Sequence, residues 1–517
     1  MPTGTGPENE PYAKVAETHS AVVFFAGNRV CKQKKPVNLG FLDFTTLDAR
    51  EVACLRETEL NRRFAPDVYL GVAEVRDPGG EACEHLVVMR RMPASRQLSA
   101  LIRAGTLVAD QVREVARILA VQHASAPRSA QVSAQGSRDA LLGRWEDNLS
   151  QAAGLPGQVL DPGVLTETGQ LARQFLAGRG PLLAGRVSAG RIVDGHGDLL
   201  ADDIYCLDDG PRILDCLDFD DKLRWLDGLD DAAFLMMDLE RLCAPVLARQ
   251  FADWYAEFSG DPAPASLRHH YVAYRAFVRA KVSCIKAGQE TDGAEMAGSA
   301  RRLAEISLRH LRAGAVTLVL IGGLPGSGKS ALARAAADRL GFAVLNSDRI
   351  RKELAGIEPA ASAAAAYGAG IYTAEWTGRC YAELLHRAET MMAHGESVIA
   401  DASWISAEHR AAAEAAARRV NAQLAQVRCE APGDLMRQRM ARRTADASDA
   451  DAEIARQMAA VAASWPAATA ISTESGGAGG DLKSAGFTQL VDEVLTVIRP
   501  HGPEHVWRPT RPVMLPG

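Results

Sequence analysis

The sequence predicts two folded domains, an α+β domain followed by an α/β domain in which a parallel sheet lies between helices. Length is the first reason, because a chain of 517 residues is longer than one hydrophobic core normally serves. The second reason is a change of pattern near residue 313, where a regular alternation of strands and helices begins. We therefore expect domains over residues 1–312 and 313–500, with a flexible tail over residues 501–517.

Composition limits the classes of protein to which this chain can belong. Hydrophobic residues make up 47% and charged residues 24%, which is typical of globular domains. The net charge of −6 argues against a surface that coats nucleic acid, and no apolar run is long enough to span a membrane. Nine scattered cysteines and a polar, acidic N-terminus favour a cytoplasmic protein without a signal peptide. The sequence gives no indication of the oligomeric state.

The first domain begins with a predicted hairpin. Gly27-Asn28 is a typical two-residue turn, and it separates the run AVVFFA from RVCKQKK. A helix is expected over residues 47–64 and a further strand over residues 84–92. Helical patterns then cover residues 98–128, 138–178 and 229–312, with short strands and turns near residues 191–220. The first domain thus combines short strands with longer helical stretches.

A candidate catalytic loop lies among these short strands. His196-Gly197-Asp198-Leu199 is followed by Asp203 and Asp215, with a turn at Asp208-Asp209-Gly210 between them. Kinase catalytic loops have this spacing, with one Asp that takes the proton of the acceptor hydroxyl and two later residues that hold metal ions. We assign the catalytic role to Asp198 and the metal-ligand roles to Asp203 and Asp215. Acidic residues are also common in turns, so a structural role is the alternative.

Charged residues upstream fit the same chemistry. Either Lys32 or Lys34, on the second strand of the hairpin, is expected to bind nucleotide phosphates. Its ion-pair partner is expected to be Glu57 or Glu59 on the following helix. Each of these residues taken alone can be a solvated surface charge, but their order along the chain favours a kinase-like domain.

Further motifs accompany the loop from His196 to Leu199. They are Lys34-Lys35-Pro36-Val37, Asn61-Arg62-Arg63 with Ala65-Pro66-Asp67, and Arg279-Ala280-Lys281-Val282. On these motifs, residues 20–290 resemble the aminoglycoside-phosphotransferase-like family. The resemblance implies a bilobal, kinase-like fold that uses ATP and Mg²⁺. The family usually has a second His after HGDL and an Asn as first metal ligand, where this chain has Leu200 and Asp203.

An acidic stretch follows Asp215. Its Asp residues are at positions 218, 220, 221, 227, 230 and 231. One interpretation is a subsite for a cationic acceptor such as an aminosugar. The interpretation that we favour is that Asp231 braces the catalytic loop and the others are turn and N-cap residues.

The second domain carries the most specific motif. Residues 323–330 read Gly-Leu-Pro-Gly-Ser-Gly-Lys-Ser, between the apolar strand VTLVLIG and the helix-forming stretch SALARAAADRL. This is a complete phosphate-binding loop in its expected context. Lys329 is expected to reach the β- and γ-phosphates of ATP, and the Ser330 hydroxyl to hold Mg²⁺. The other residues of the predicted nucleotide site are Gly323, Leu324, Pro325, Gly326, Ser327, Gly328 and Ala331.

Candidate acceptor-side residues follow the next two strands. Asp348 is expected to take the acceptor proton and Arg351 to bind an anionic group. Alternatively, Ser347 or Asp348 is the N-cap of the helix DRIRKEL. Asp401 ends the strand SVIAD and is either a Mg²⁺-binding acid or a simple strand-end turn residue.

Arginines cluster on a later predicted helix, at positions 437, 439, 442 and 443. Arg439 and Arg443 have the i,i+4 spacing of one helix face, and we expect these two to neutralise the transferring phosphoryl group. A solvated basic helix face is the alternative.

Residues 315–500 resemble predicted P-loop kinases related to gluconate kinase and zeta-toxin-like enzymes, on the loop at 323–330 and the residues that follow it. With the first domain, this indicates an ATP-dependent phosphotransferase that acts on a small hydroxylated acceptor. Two alternatives stay open: a nucleotide-binding regulatory protein with a degenerate first domain, and a polynucleotide-end kinase. The acidic net charge argues against the second of these.

Overall fold

The computed structural model describes residues 12–18, 20–38, 43–155, 159–288, 293–358, 361, 368–442, 451–476 and 484–499. The chain divides into two compact units. Unit 1 comprises Met1–Leu160, Ala184–Ala263 and Tyr271–Ser307, and unit 2 comprises Asp161–Leu183, Pro264–His270 and Leu308–Gly517. The domain limits at residues 312 and 500 and the flexible tail over 501–517 stay predictions, and the tail lies outside the described residues.

Unit 1 contains a five-stranded antiparallel sheet with the strand order β1-β2-β3-β5-β4. The strands are β1 (Ala13–Glu17), β2 (Ala21–Ala26), β3 (Arg29–Lys34), β4 (Tyr69–Arg76) and β5 (Ala82–Arg90). The predicted hairpin is confirmed, since β2 and β3 pair up to Ala26 and Arg29 on either side of Gly27-Asn28. Helix α1 (Leu47–Arg62) packs on this sheet, where Cys54 joins the buried cluster that contains Val87.

Short strand pairs and helices complete unit 1. The strand pairs are β6 (Ile192–Asp194) with β9 (Trp225–Asp227), and β7 (Ile204–Leu207) with β8 (Gly210–Ile213). The helices that lie wholly in this unit, besides α1, are α2 (Leu98–Arg103), α3 (Ala109–Ser125), α4 (Ala130–Ala134), α5 (Arg138–Ala153), α8 (Asp221–Arg224), α9 (Gly228–Arg241) and α10 (Pro245–Ser259). Helices α7 (Gly180–Ser188), α11 (Ala265–Ala287) and α12 (Gly293–Ala313) have residues in both units.

Unit 2 contains a five-stranded parallel sheet with the strand order β11-β12-β10-β13-β14. The strands are β10 (Thr317–Gly322), β11 (Ala343–Asn346), β12 (Val398–Asp401), β13 (Gln423–Glu430) and β14 (Thr469–Ser472). The helices are α6 (Pro162–Gly178), α13 (Lys329–Leu340), α14 (Ser347–Leu354), α15 (Ala374–Ala393), α16 (Ala407–Arg419), α17 (Gly433–Ala441), α18 (Ala452–Val461) and α19 (Ala485–Ile498).

Helices cover both faces of the parallel sheet. Alternate residues of β10 enter two separate hydrophobic clusters, Leu318 and Leu320 in one and Val319 and Ile321 in the other. The first cluster includes residues of α15 and α16, and the second includes residues of α13 and α19. The predicted fold class, an α+β part and an α/β part with a parallel sheet between helices, is confirmed.

Among the described residues, no helix has the length and the apolar character needed to cross a lipid bilayer.

Candidate active sites

The phosphate-binding loop joins β10 to α13 in unit 2. Its backbone is left-handed at Gly323, Gly326 and Gly328, with φ of 147°, 82° and 88°. A Cβ atom at Gly323 would lie 2.5 Å from Ser327 Oγ, and one at Gly326 would lie 2.7 Å from the Met436 carbonyl oxygen. Only glycine fits these two positions, because a side chain meets both an unfavourable φ and an immediate clash.

The other predicted nucleotide-site residues lie in or directly after this loop. Lys329 and Ser330 are the first residues of α13, where unpaired backbone N–H groups favour an anion, and Lys329 is buried. Ala331 packs against the cluster on one sheet face. Pro325 and Ser327 are buried, and Leu324 is half-buried. The loop therefore rests on the unit's core through these residues.

Asp401 ends β12 beside the loop, in register with Ile321 of β10. Its Oδ2 accepts a hydrogen bond of 2.7 Å from Asn346 Nδ2. Its Oδ1 is buried and receives no hydrogen bond from the described residues. Burial raises the pKa of Asp401, and the nearby Lys329 ammonium and Ser330 hydroxyl act in the opposite direction.

Helix α14 begins differently from the prediction. The N-cap is Asn346, whose Oδ1 accepts from Arg349 N at 2.9 Å, so the alternative that Ser347 or Asp348 caps this helix is wrong. The reason is that β11 ends at Asn346 and the helix starts at once, which leaves Asp348 in the first helical turn. Asn346 also contacts Asp401, so sequence reasoning missed a residue that links two strand ends.

Arg351 lies on α14, and its guanidinium contacts the segment before α15 and the first turn of α15. Its Nη1 donates to the Ile371 carbonyl oxygen at 2.9 Å and to Thr377 Oγ1 at 3.1 Å. The guanidinium also lies 5.0 Å from the centre of the Tyr372 ring. Among the described residues, the Arg351 guanidinium thus contacts Ile371, Tyr372 and Thr377.

Arg439 of α17 is the clustered arginine that reaches the loop. Its guanidinium donates to Thr473 Oγ1 at 2.9 Å and to the Thr473 carbonyl oxygen at 2.7 Å, and it lies 3.4 Å from the Gly326 carbonyl oxygen. Thr473 Oγ1 in turn donates to the Ser327 carbonyl oxygen at 2.7 Å. Arg437 pairs with Asp434 on the surface instead. Arg443 lies outside the described residues.

In unit 1, both candidate lysines bind the same glutamate. Lys32 Nζ lies 2.9 Å from Glu57 Oε1, and Lys34 Nζ lies 2.7 Å from Glu57 Oε2. Lys34 also pairs with Asp218 at 2.7 Å. Glu59 pairs with Arg56 and its side chain is 72% exposed, so the structure brings Glu57 to the lysines and leaves Glu59 outside. Burial opposes the ionised form of Glu57, but the two ammonium groups lower its pKa.

Lys32 continues this network to the predicted metal ligands. Its Nζ lies 3.1 Å from Asp215 Oδ1, and this ammonium lowers the pKa of Asp215. Asp215 has a left-handed backbone, with φ of 60°, which is costly for a residue other than glycine and typical of functional positions. Burial and the carboxylates of Asp215 and Asp198 raise the pKa of Asp203 well above its usual range. The three carboxylates are therefore close enough to influence one another's ionisation.

Asp198 lies in a loop whose backbone is hydrogen-bonded to the buried side chain of Asp231. Asp231 accepts from His196 N at 2.7 Å, from Gly197 N at 2.8 Å and from His123 Nε2 at 2.9 Å. The hydrogen bond from His123 and the other donors lower the pKa of Asp231 despite its complete burial. His123 belongs to α3 and has no sequence signal, because it is 75 positions from Asp198 and is brought here by packing. Burial raises the pKa of Asp198, while Arg279 and His196 oppose that rise.

The donor set of each site fits a divalent cation that is shared with a ligand. No group of three or more His, Cys, Asp or Glu side chains with metal-binding geometry occurs among the described residues. Mg²⁺ is usually held by one or two carboxylates together with phosphate oxygens and waters. The buried Asp401 Oδ1 beside the Ser330 hydroxyl in unit 2, and the pair of Asp203 and Asp215 in unit 1, meet that requirement.

Known proteins resemble the chain in its parts and as a whole. The AAA domain family matches residues 318–464. In structure, the chain is similar to a choline/ethanolamine kinase family protein from Mesorhizobium loti, with 18% identity, a TM-score of 0.37, and 59% of this chain and 92% of that chain covered. It is also similar to a gluconokinase from Sinorhizobium meliloti, with 17% identity, a TM-score of 0.25, and 36% and 93% covered.

Relatives in sequence extend over nearly the full length. The uncharacterized protein Rv2004c of Mycobacterium tuberculosis is 42% identical over 465 residues, which cover 90% of this chain and 93% of the relative. The uncharacterized protein Mb2027c of Mycobacterium bovis matches to the same extent. At this identity and coverage, the chain belongs to the same family as these mycobacterial proteins.

Proposed function

We propose that the protein is an ATP-dependent phosphotransferase that transfers the γ-phosphoryl group to a small hydroxylated acceptor. The observation that carries the proposal is the loop of unit 2. There, three glycines have left-handed backbones before a buried lysine, and a buried aspartate oxygen without a hydrogen bond lies nearby. This is the arrangement by which backbone amides and one ammonium hold the phosphates of a nucleotide.

In unit 2, charge neutralisation and positioning account for the chemistry. Lys329 binds the β- and γ-phosphates, and the Ser330 hydroxyl and Asp401 hold Mg²⁺, which supplies further neutralisation of the phosphates. Asp348 takes the acceptor proton. Arg439, fixed at Gly326 and Thr473, keeps α17 against the loop and presents a cation at the phosphates.

Unit 1 supports a second phosphotransfer site of the same chemical class. Lys32 binds the nucleotide phosphates with Glu57 as its ion-pair partner, and Asp203 and Asp215 are the cation ligands. The acceptor oxygen forms a bond to the γ-phosphorus as the bond to the β–γ bridging oxygen breaks. Asp198 receives the acceptor proton, and ADP and a phosphate monoester leave. The rigid support of Asp198 by Asp231 and His123 is what such positioning requires.

Location and partners belong to this proposal as well. All nine cysteines are free, which supports a reducing compartment such as the cytosol. The acidic net charge supports a small-molecule acceptor over a nucleic acid.

The test uses the full-length chain, because unit 2 includes residues 161–183 and a fragment ending at residue 312 would divide it. ATP turnover is measured for the wild type, Lys329→Ala, Asp198→Asn and the double variant. We expect each single variant to lose the activity of one site and the double variant to lose all turnover. Full turnover in the double variant would refute the proposal.

One observation favours a second candidate, a nucleotide-binding regulatory protein. The predicted metal ligand Asp203 lies among other carboxylates, where burial and like charge disfavour its ionised form. If unit 1 binds ATP but Lys329→Ala protein shows no turnover that depends on Asp198, the regulatory function holds for that unit.

A further inference from the structure

Arg279 lies beside the proposed proton acceptor of unit 1. It belongs to α11, and its Nη1 is 3.6 Å from Asp198 Oδ1. At this distance the two groups form an ion pair, but they are farther apart than the atoms of a normal hydrogen bond. The Arg279 side chain is 29% exposed and that of Asp198 is 37% exposed. The guanidinium thus has N–H groups open to a molecule that approaches Asp198.

The preceding turn of the same helix provides a contrast. Arg275, four positions earlier, donates to both oxygens of Asp230 at 2.6 Å and is buried over the Phe234 ring. A buried arginine with a bidentate carboxylate is a structural group. Among the described residues, Asp198 is the carboxylate with which Arg279 forms an ion pair. Helix α11 therefore carries two different arginines. The guanidinium of Arg275 makes two hydrogen bonds to one carboxylate, whereas that of Arg279, one turn later, makes a single longer ion pair.

The acidic stretch after Asp215 is already occupied by the protein's own groups. Asp218 pairs with Lys34, Asp220 accepts from Lys222 N, Asp221 pairs with Arg56 and Arg224, Asp227 pairs with Arg186, Asp230 with Arg275, and Asp231 with His123. These contacts support the structural interpretation of that stretch. Five of these six carboxylates thus have a cationic or imidazole partner, Asp220 being an N-cap, and an acceptor with an ammonium group would meet the positive charge of Arg279.

We propose that the acceptor of unit 1 carries an oxyanion, a carboxylate or a phosphate, near the hydroxyl group that is phosphorylated, and that Arg279 binds this oxyanion. The planar guanidinium fork matches both groups and binds them through two parallel hydrogen bonds. The inference rests on the phosphotransferase function proposed for unit 1. It gives Arg279 the role of a specificity-determining residue beside the proton acceptor.

The experiment compares matched acceptors in the full-length Lys329→Ala protein, whose remaining ATP turnover belongs to unit 1. The probes are glucose, glucosamine, gluconate and glucose 6-phosphate, which share hydroxyl groups and differ in charge. We expect kcat/KM to be highest for an acidic probe and lowest for glucosamine. The gluconate and glucose 6-phosphate arms tell whether the oxyanion is a carboxylate or a phosphate.

Variants of Arg279 test whether the preference for acidic acceptors depends on this side chain. Arg279→Gln should raise KM for the preferred acidic probe by roughly 10- to 100-fold, the value of a charge-assisted hydrogen bond, and change KM for glucose little. Arg279→Lys should recover part of the loss, since it keeps the charge but not the fork. Lys281→Gln is the matched control. It removes one positive charge from the same helix, where Lys281 donates to Gln151 Oε1 at 2.7 Å, and it should leave the preference unchanged.

The outcomes separate this inference from the proposed function. A preference for glucosamine, no turnover of either acidic probe, or an unchanged preference in Arg279→Gln would overturn the anionic acceptor. If ATP turnover still depends on Asp198 in those cases, the phosphotransferase function of unit 1 stands without it. If no turnover depends on Asp198, both proposals fail together.

Discussion

The Nζ atom of Lys32 lies 3.1 Å from Oδ1 of Asp215, although the two residues are 183 positions apart in the chain. The pair joins strand β3 to the segment that follows β8. Their proposed partners are a phosphate and a divalent cation, so we expect both residues to change their contacts when those ligands bind. Lys34, two residues along the same strand, pairs with Glu57 and Asp218 instead.

This difference predicts separate effects for the two lysines. In the Lys329→Ala background, Lys32→Met should reduce ATP turnover of unit 1 at least tenfold with a small change in stability. Lys34→Met should instead lower the free energy of unfolding by about 3 kcal/mol, because it leaves Asp218 without its buried cation. Urea denaturation and ATP turnover check both. Lys35→Met is the control, since Lys35 pairs with the exposed Glu17 and should change neither quantity.

The support of the catalytic loop predicts a pH-dependent stability. Asp231→Asn should lower the free energy of unfolding by about 1–3 kcal/mol at pH 7, since buried N–H donors lose an ionised acceptor. The folded state lowers the pKa of Asp231 below its unfolded value, so its contribution is complete above the unfolded pKa. The difference between wild type and variant should be constant from pH 7 to 5 and shrink below about pH 4. A difference that grows on acidification would contradict this assignment.

Close packing of the phosphate-binding loop predicts a severe effect of one methyl group. Gly326→Ala places a Cβ 2.7 Å from the Met436 carbonyl oxygen at a left-handed φ, so we expect unit 2 to lose ATP binding and stability, while the proposed site of unit 1 still binds ATP. Gly356→Ala is matched, since its φ is 69° and no atom lies within 4 Å. It should cost only roughly 1–2 kcal/mol of backbone strain and leave ATP binding intact. Calorimetric titration with ATP and thermal denaturation distinguish them.

The arginines of α17 predict a second matched pair. In the Asp198→Asn background, whose remaining turnover belongs to unit 2, Arg439→Gln removes the hydrogen bonds to Thr473 and the contact with Gly326. We expect KM for ATP to rise about tenfold or more, since such charge-assisted bonds are worth roughly 1.5–3 kcal/mol. Arg437→Gln breaks only the surface pair with Asp434 and should leave KM unchanged. Equal effects of the two substitutions would show that helix charge, and not the contact with the loop, matters.

Short-range patterns were sufficient for much of the fold. The turn at Gly27-Asn28 predicts the β2–β3 hairpin, and the apolar runs predict the strands β10, β11, β12 and β13 of the parallel sheet. These signals are local, because they depend on residue type and spacing within a few positions. The strands β1, β4 and β14 were missed. Residues of β1 and β14 are mostly exposed, and none of the three strands has a long continuous apolar run.

Contacts between residues far apart in the chain could not be predicted from local sequence patterns. The choice of Glu57 over Glu59 depends on which face of α1 meets the sheet. The segment Asp161–Leu183 belongs to unit 2 through contacts such as Arg179 Nη1 to the Val420 carbonyl oxygen at 2.8 Å. Nothing in a local pattern indicates a partner 241 residues away. The same limit applies to His123 and to the contact of Arg439 with Thr473.

Glu57 has two ammonium partners, and only one of them is proposed to contact nucleotide. Lys34 Nζ lies 2.7 Å from Glu57 Oε2. If Lys32 leaves Glu57 to bind a phosphate, as proposed, this buried carboxylate therefore still has a counter-ion. Leaving a buried charge uncompensated costs several kcal/mol. On the proposed function, the second lysine would avoid that cost in each turnover, because Lys34 would still join β3 to α1 through Glu57 after Lys32 binds phosphate.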